Sequence, residues 1–515
     1  MPVLPIPLTA PVYKNVDEVE LDEEGYLLMN GYVDEKGAIV KRPGLRYGQN
    51  LLGTAQNVNG LFWWDDKSQL IAVCDSSVVG CYADTSFRLA GSPYSAGANI
   101  VARVRPTFTT DGTNVFFANG NKINYVQDVN VSTTVSQIGS NAPTSVTQLG
   151  FIDGYIIANS VNSNRWYWSN VNDYTTWNAL NFASAQGVPD PVNVIRVLNR
   201  QIYLFGRRSI EIWENDGSTP FARVSNGLIE TGCIAPYSVV TTEDGFIFLD
   251  NKRHFMEFKS GVLSRISSPY DKFIQDLGSS IVSNPASNTA IGVVDYISDC
   301  IGDELFIGGS RFYVFTFPQI DKTICYNYTA KTWSEWGTWE LGDASGGAPL
   351  TYSRWVGNCA AYSPSWGINL IGHIKLTKHG WGNETDVLVL DPKDYYDTDV
   401  SFAGSAVPMK FEVKTGHWDH RNSGRKRSNE VRVRMKRGQA ATGAGPTLIL
   451  QVNDDNKGWG NEIQMNLGEA GDNEIVARAR PMGIYRTRQY RLYTTDAVPV
   501  IVVKAEEDVD LLDAA

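Results

Sequence analysis

The sequence predicts an all-β fold, made mainly of a β-propeller with six or seven blades and completed by a strand-rich, sandwich-like platform built from the chain termini. Three observations predict it. Short apolar hairpins with polar turns recur along the chain. The composition is rich in glycine and aromatic residues and contains no long window of helical periodicity. Longer alternating strands near the C-terminus do not follow the hairpin spacing.

Two successive hairpins show the repeat most clearly. In the first, Gln201–Phe205 is followed by a turn at Gly206–Arg208 and a returning strand at Ser209–Trp213. Phe246–Leu249 and Phe255–Phe258 repeat the pattern around a second polar turn. Each pair is typical of the middle of a propeller blade, and radial closure explains why such units repeat, since it leaves few exposed strand edges.

Five further hairpins follow the same pattern, about 40 to 60 residues apart, close to the period of a four-stranded blade. They are Leu70–Cys74 with Val78–Tyr82, Val115–Ala118 with Ile123–Val126, Tyr155–Asn159 with Arg165–Trp168, Arg311–Phe317 with Thr323–Tyr328, and Asn369–Leu376 with Thr385–Leu390. Seven hairpins fit seven blades, or six blades if one pair lies outside the ring. A β-sandwich or solenoid with coincidental spacing is the alternative.

The domain organisation follows from where the repeat begins and ends. Residues 1–50 are predicted to be an N-terminal arm that contributes to the platform, and residues 51–400 to be the propeller. Residues 401–515 are predicted to be a C-terminal β domain that docks subunits. Its strands are expected at Val431–Met435, Thr447–Val452, Tyr490–Tyr493 and Val498–Lys504.

Composition narrows the function classes. The 515 residues carry a net charge of −11 and a pI of about 5.1, which argues against a protein that grips nucleic acid through its phosphates. The proline-broken start, with Lys14 as its first cation, is unlike a signal peptide, and no apolar run is long enough to span a membrane. The six cysteines include no CxxC pair and are expected to be buried thiols.

The sequence contains no coherent catalytic constellation, so we predict no enzyme activity, no catalytic residues, no cofactor and no metal site. His417 and His420 have a spacing that could suit a metal, but they lack a third ligand and are expected to be solvated or at an interface. A propeller glycosidase would need a carboxylate pair. Four acidic residues lie on or beside hairpins, where polar residues are expected anyway: Glu211, Glu214, Asp250 and Glu257.

Two groups of aromatic residues admit a structural and a functional interpretation. One group could form a sugar-binding platform, although packing between blades is favoured; it comprises Trp166, Tyr167, Trp168, Tyr174 and Trp177. The other, spaced by three residues, is interpreted as a blade-to-blade connector: Trp333, Trp336 and Trp339.

A basic segment stands out in this acidic chain. Between residues 421 and 437 it has eight cations and a single acidic residue, Glu430. The cations are Arg421, Arg425, Lys426, Arg427, Arg432, Arg434, Lys436 and Arg437. Strand alternation places Arg432 and Arg434 on the face opposite Val431, Val433 and Met435. The segment could bind DNA phosphates, but docking of subunits is favoured, with two acidic stretches as complements: residues 17–24 and the tail Glu506, Glu507, Asp508, Asp510 and Asp513.

The order of several motifs resembles a known family. The chain has "RPGL" near residue 45, then "DGYIIAN", "RWYWSNVNDYTTWN", "RQIYLFGRRSIEIWEN" and "NGLIETGCIAPYSVV", and ends with "YRLYTTDAVPVIVVKAE". This order resembles the tail hub or nozzle proteins of short-tailed bacteriophages, also called packaged-DNA-stabilisation proteins. The resemblance extends over nearly the whole chain and is strongest at residues 26–50 and 148–258.

The resemblance implies a structural virion protein, made in the host cytoplasm and assembled as a homohexameric ring in the tail. Such a ring would lie below the portal–adaptor assembly, close the tail channel around packaged DNA and form the conduit for its ejection. Its implied partners are the adaptor and portal, tail fibres, spikes or a needle, and duplex DNA in transient contact. The alternative function is a receptor- or carbohydrate-binding tail propeller.

Overall fold

The computed structural model describes a chain made almost entirely of β-strands. The described residues are 3–8, 26–51, 56–83, 89–94, 100–217, 220–276, 280–282, 292–294, 296–339, 352–373, 386–398, 406–420, 422–437, 445–468 and 474–512. Within them the single α-helix, α1, is the short segment Asp271–Asp276. The described residues also contain three 3₁₀ turns, at Asp65–Lys67, Pro236–Ser238 and Ser268–Tyr270.

The N-terminal residues contribute five strands, which join three different sheets. They are β1 (Val3–Pro5), β2 (Leu27–Met29), β3 (Gly31–Val33), β4 (Ile39–Lys41) and β5 (Gly44–Asn50).

Six blades follow, each of four consecutive antiparallel strands; the first five are separate sheets, and the sixth is part of a larger sheet. The first blade comprises β6 (Val58–Trp64), β7 (Gln69–Cys74), β8 (Val78–Ala83) and β9 (Leu89–Pro93), and the second comprises β10 (Thr107–Thr110), β11 (Asn114–Ala118), β12 (Asn124–Gln127) and β13 (Ser136–Gln137). The third comprises β14 (Leu149–Ile152), β15 (Tyr155–Asn159), β16 (Arg165–Asn170) and β17 (Asp173–Ser184), and the fourth comprises β18 (Val194–Leu198), β19 (Gln201–Phe205), β20 (Ile210–Asn215) and β21 (Phe221–Ile229). The fifth comprises β22 (Val240–Thr241), β23 (Gly245–Leu249), β24 (Phe255–Lys259) and β25 (Val262–Arg265). A small hairpin of β26 (Ser280–Val282) and β27 (Gly292–Val294) precedes the sixth blade, which comprises β28 (Ile301–Ile307), β29 (Ser310–Phe317), β30 (Lys322–Asn327) and β31 (Thr332–Trp339).

A further sheet fills the gap between the sixth blade and the first. After β32 (Tyr352–Arg354), which pairs with β31, come β33 (Gly357–Ser363), β34 (Ile368–His373) and β35 (Asp386–Asp391). The fourth strand of this sheet is β5, from the N-terminal part of the chain, paired antiparallel to β35 with Leu45 opposite Leu390. Strand β33 contacts β28 on one side and β6 on the other. The ring is therefore closed by a strand that precedes the first blade in sequence.

The conformation of the RPGL motif explains why this closure uses a glycine. Beyond β5 the sheet continues through β36 (Tyr396–Thr398) and β37 (Ala406–Pro408). A Cβ atom at Gly44 would lie 2.1 Å from the carbonyl oxygen of Tyr396, so no other residue fits there without a shift of β36.

The rest of the chain forms the platform, a pair of packed sheets. Its C-terminal strands are β38 (Phe411–Lys414), β39 (Lys426–Arg437), β40 (Thr447–Asp454), β41 (Ile463–Asn466), β42 (Glu474–Ala479), β43 (Ile484–Tyr485), β44 (Arg488–Thr494) and β45 (Val500–Leu511). One sheet has the order β3-β4-β45-β39-β42, and the other continues the sixth blade as β31-β2-β38-β44-β40-β41. A shared apolar core lies between them, with Leu28, Phe411, Val433 and Leu450 almost fully buried.

Arg42 links the platform to the propeller. Its guanidinium is fully buried and donates to both carboxylate oxygens of Asp397 at 2.7 and 3.1 Å, and its Nε donates to Asn30 at 2.9 Å. The same group lies over the ring of Trp336 in the sixth blade. The neighbouring Lys41 is buried as well, donates to the carbonyl of Asp496 at 2.6 Å, and has its pKa lowered to about 7 by burial and by Arg42.

The predicted all-β propeller with an added strand-rich part is confirmed, and each predicted hairpin forms a pair of adjacent strands in one of the ring's sheets. All six cysteines are buried and unpaired, as expected. One expectation about the propeller is wrong. Trp333, Trp336 and Trp339 are not a connector but part of strand β31, where alternate side chains face opposite sides.

Candidate functional sites on the platform and at the propeller axis

The outer face of the sheet β45-β39-β42 carries alternating charged side chains, and we name it the charged face. Strand β39 places Val431, Val433 and Met435 in the platform core, so Arg432 and Arg434 lie on the opposite face, as the alternation predicts. Further charged residues project from the neighbouring strands on this face: Arg478 and Arg480 beside β42, and Lys504, Glu506 and Asp508 on β45.

Glu430 organises one half of the charged face. Its carboxylate accepts hydrogen bonds from Arg432 at 2.6 Å, Arg478 at 2.9 Å and Arg480 at 2.5 Å. Burial would raise the pKa of Glu430, but these three arginines lower it to about 2. Arg432 also lies 3.8 Å from Asp508. Arg432 is thus already engaged within its own subunit.

The other half of the charged face has cations without such partners. Arg434 and Lys436 are exposed, and in the described part of the chain neither forms an ion pair. Across the sheet Arg434 stands opposite Lys504, so like charges are neighbours there, whereas Lys436 stands opposite Glu474. Since like charges side by side destabilise a sheet, an external anionic group would stabilise this end of the face.

The remaining basic residues of the predicted set are distributed differently. Arg421 lies outside the described residues, and Arg437 is the last residue of β39. Arg425 and Arg427 are exposed at the start of the strand. Lys426 is buried, and its ammonium donates to three carbonyl oxygens, those of Asn422, Gly424 and Arg486. The structure therefore separates Lys426 from the exposed cations.

Within the described residues, the acidic side chains of the tail already contact residues of their own sheet, so they are not available to bind the basic segment of another subunit. Asp508 approaches Arg432, Asp510 accepts from Asn429, and Glu506 pairs with Lys504 in the same sheet. Residues 17–24 and Asp513 lie outside the described residues.

Glu507 is the centre of a buried ionic cluster inside the platform. Its carboxylate is fully buried and accepts from Arg488 at 2.8 Å, Ser428 at 2.5 Å and Tyr490 at 2.5 Å. The Tyr485 hydroxyl also donates to it. Sequence reasoning placed Glu507 in an acidic tail and missed this role. The signal was present, because Ala505, Glu507 and Val509 share the inward face of β45.

His420 belongs to the same cluster, and its hydrogen bonds define its role. Its Nε2 lies 3.0 Å from Glu507, and its Nδ1 accepts the indole N–H of Trp418 at 3.1 Å. Both ring nitrogens are therefore occupied by protein partners, which assigns His420 to the packing of the platform. The expectation of a solvated or interface position is wrong for this residue, whose side chain is almost fully buried.

The propeller axis holds a cavity of about 470 Å³, lined by the innermost strands of the second to sixth blades. Two arginines reach across it. Arg105 donates to the carboxylate of Asp303 and, at 2.9 Å, to the carbonyl of Asn358. Arg196 donates to the Gln148 side chain at 2.7 Å and to the carbonyl of Val239 at 3.1 Å. Side chains therefore link strands of different blades at the axis.

The acidic residues considered as a catalytic pair have separate structural roles. Glu211 accepts from the Gly187 amide at 2.5 Å and from the Trp213 indole at 3.2 Å. Asp250 accepts two backbone amides of its own turn, and Glu257 accepts the Tyr328 hydroxyl at 2.7 Å. Glu214 is exposed on the edge of its hairpin. These carboxylates do not converge on a common site.

The aromatic group at residues 166–177 lies between blades, as favoured. Trp166 is fully buried and contacts Trp168, Trp213 and Phe221 with ring centroids 5.2 to 5.5 Å apart. Trp177 is buried against the second blade in the same way. These rings fill wedges of the propeller and are not a surface platform.

A search for membrane-spanning helices among the described residues finds none that is both long and apolar enough.

The fold defines a β-propeller protein with an added strand-rich platform. Residues 33–265 match the family model described as bacteriophage P22 Gp10, β-propeller, and over these residues the chain is similar to that phage-stabilisation family. This match confirms the suspected relationship to packaged-DNA-stabilisation proteins, and similarity to a phage structural family implies association with the virion. No curated protein matches the chain.

Similarity to solved structures is low. Two structures of extracellular domains of B. thetaiotaomicron regulatory systems match with 11% and 12% identity and TM-scores of 0.38 and 0.41. The matches cover 69% and 84% of this chain but only 40% and 48% of those chains, so the chain spans less than half of their length. Kluyveromyces lactis Hsv2 matches with 10% identity and a TM-score of 0.28, covering 58% of this chain and 98% of that one.

Proposed function

We propose that this protein is a structural subunit of a phage tail hub or nozzle, which closes the tail channel below the portal–adaptor assembly and retains the packaged DNA. On ejection the same assembly forms the conduit. The observation that carries this proposal is the family match at residues 33–265, within a chain whose described carboxylates serve packing and turns.

The size of the axial cavity supports a particular route for the DNA. A cavity of about 470 Å³ has the size of a small-molecule site. Duplex DNA, whose major groove alone is about 12 Å wide, is too thick to pass through such a cavity. Arg105 and Arg196 also bridge strands across this axis. The conduit therefore lies between subunits, and the propellers surround it as supports.

The charged face supports the assembly of a ring. A closed ring needs two unlike patches on every subunit, and the expected number of subunits is six. The exposed Arg434 and Lys436 supply one patch that lacks a partner among the described residues. An acidic surface on the next subunit, or on the adaptor, is the complement we propose.

Further elements of the proposal follow from the same role. The protein acts mechanically and not as an enzyme, resides in the virion tail, and binds the portal–adaptor assembly on one side and fibres, spikes or a needle on the other. Its contact with duplex DNA is transient, in keeping with the net charge of −11.

Deletion of the gene tests the proposal. Particles without the protein should form normal heads, package their genome and then lose it, and complementation with the wild-type chain should restore DNA retention. A complementing chain with Arg434→Glu and Lys436→Glu should fail to restore it. Particles that keep their DNA and fail to adsorb to cells would contradict the proposal and favour a receptor-binding propeller.

A further inference from the structure

The cavity at the propeller axis contains a positive charge that the described residues do not neutralise. Arg196 lies on β18 with its guanidinium among the inner strands of the third, fourth and fifth blades. Its three hydrogen bonds go to neutral oxygens, those of Gln148, Ile195 and Val239. Burial lowers the pKa of Arg196 to about 10, so the guanidinium remains charged at neutral pH. In the described part of the chain no carboxylate pairs with it.

Arg105, in the same cavity, provides the comparison. Its guanidinium forms a bidentate ion pair with Asp303, which is the usual way to compensate a charge in such surroundings. The other acidic residue of the cavity, Glu304, lies 3.1 Å from Arg311. Both acidic residues of the lining are therefore already paired, and Arg196 accounts for one net positive charge.

Polar groups near Arg196 are available to a ligand. Burial raises the pKa of Tyr237, and the positive charges of Arg105 and Arg196 oppose this rise, so the Tyr237 ring lies near both guanidinium groups. Its hydroxyl has no hydrogen bond to any described residue. Gln148 is fully buried, accepts from Arg196 through its oxygen, and has an amide nitrogen without a partner among the described residues.

We propose that the axial cavity binds a small oxyanion, a carboxylate or a phosphate group, on the guanidinium of Arg196 with the Tyr237 hydroxyl as a second donor. An unpaired buried cation is costly, and a bound anion would provide the charge-assisted hydrogen bonds that no described carboxylate supplies. The cavity volume of about 470 Å³ lies in the usual range for small-molecule sites and suits a ligand of monosaccharide size. The site is independent of the hub function, because ring formation uses the platform.

Calorimetric titration of the full chain in a buffer free of phosphate and carboxylate tests the site. The probes are inorganic phosphate, glucuronate and, as the uncharged counterpart of glucuronate, glucose. Saturable binding of one or both anions near one equivalent, without binding of glucose, is the expected result. Binding of phosphate alone identifies a phosphate group as the ligand, and binding of glucuronate alone identifies a carboxylate. No binding of either anion, or equal binding of glucose, would overturn the proposal.

Substitutions locate the binding. Arg196→Gln should weaken the bound anion about 10- to 100-fold, the range expected for loss of a charged hydrogen-bond partner, and Arg196→Lys should weaken it less. Tyr237→Phe, which changes a single oxygen, should weaken it a few-fold and serves as the test if Arg196→Gln does not fold. Arg200→Gln is the matched control, since Arg200 is exposed on the same hairpin and should leave binding unchanged. Anion binding that survives both Arg196→Lys and Tyr237→Phe unchanged would show that the site lies elsewhere.

Discussion

The propeller and the platform are both packed β-sheets, yet their interiors are stabilised by different chemistry. Between the third and fourth blades the core contains Trp166, Ile157 and Leu204, all buried apolar side chains. Inside the platform an apolar core is interrupted by Glu507 and Arg488, both with side chains wholly inaccessible to solvent.

This difference concerns how stability is distributed. Each propeller wedge has its own apolar cluster, so loss of one leaves the others in place. In the platform, several strands contribute groups to one carboxylate, including β39 through Ser428, β44 through Arg488 and β45 through Glu507 itself. A buried charge of this kind is neutral in energy when fully paired and costly when a partner is removed. The platform therefore depends on a few polar residues far more than the propeller does.

The largest effect is expected for Arg488→Ala. This change leaves the buried Glu507 and the Asp454 carboxylate without their shared cation, at a cost of about 5 kcal/mol in the free energy of unfolding. Hydrogen exchange should rise in platform strands β38, β40 and β44 and stay unchanged in the blades. The matched control is Arg486→Ala, an exposed arginine two residues earlier, which should leave exchange unaltered. If the platform strands exchanged equally slowly in both variants, the buried cluster would not contribute to stability as proposed.

Trp166→Ala should have the next largest effect, confined to the propeller. Removing a fully buried indole that contacts three aromatic rings should cost about 4 kcal/mol. Hydrogen exchange should rise in the third and fourth blades, with platform strands unaffected. If exchange rose uniformly over the chain, the two regions would unfold as one unit and the comparison between them would fail.

Acid should destabilise the platform through Glu507. Burial alone would raise the pKa of this carboxyl, but the hydrogen bond with His420 and the charge of Arg488 lower it to about 2. Its pKa is thus below the unfolded value of about 4.3, so its contribution, on the order of 3 kcal/mol, is present above pH 4.3 and lost as the pH falls towards 2. Denaturant unfolding at a series of pH values, followed by the fluorescence of the chain's 14 tryptophans together, measures this loss. Glu507→Gln should flatten the pH dependence over that interval, and an unchanged slope would exclude Glu507 as its source.

The smallest effect on stability is expected at the charged face. Arg434→Glu combined with Lys436→Glu should change the free energy of unfolding by no more than about 0.5 kcal/mol per residue, since both side chains are exposed. Assembly into tails should nevertheless fail, because a contact with an acidic neighbour becomes repulsive. Arg207→Glu combined with Lys252→Glu, which reverses two exposed cations in propeller turns, is the charge-matched control. Normal assembly of the double variant would remove the charged face from the account.

The propeller could be predicted from sequence because its contacts are local. Each hairpin, such as Gln201–Phe205 with its returning strand, pairs residues close in the chain, so alternation and turns are visible in one short window. The strand that completes the closing sheet could not be predicted in this way. Leu45 pairs with Leu390, and no local pattern records a partner so distant in sequence.

The site residues divide along the same line. Alternation in Val431–Met435 correctly placed Arg432 and Arg434 on the outer face. Charge counting could not show that Lys426 is buried or that Glu430 already engages Arg432, since both facts depend on neighbouring strands. Arg105 and Arg196 were overlooked because a single arginine in an apolar strand has no motif, although a lone cation in "VIRVL" marks a buried charge in need of a partner.

Electron microscopy of the purified protein bound to its portal–adaptor assembly tests the central claim most directly. We expect a closed ring of six copies below the adaptor, with a central lumen wide enough for duplex DNA, lined by several subunits. The platform's charged face should lie in the contact between neighbours, and each propeller axis should be closed and apart from the lumen. Single copies at the tips of tail fibres, or a ring without a continuous lumen, would contradict the account.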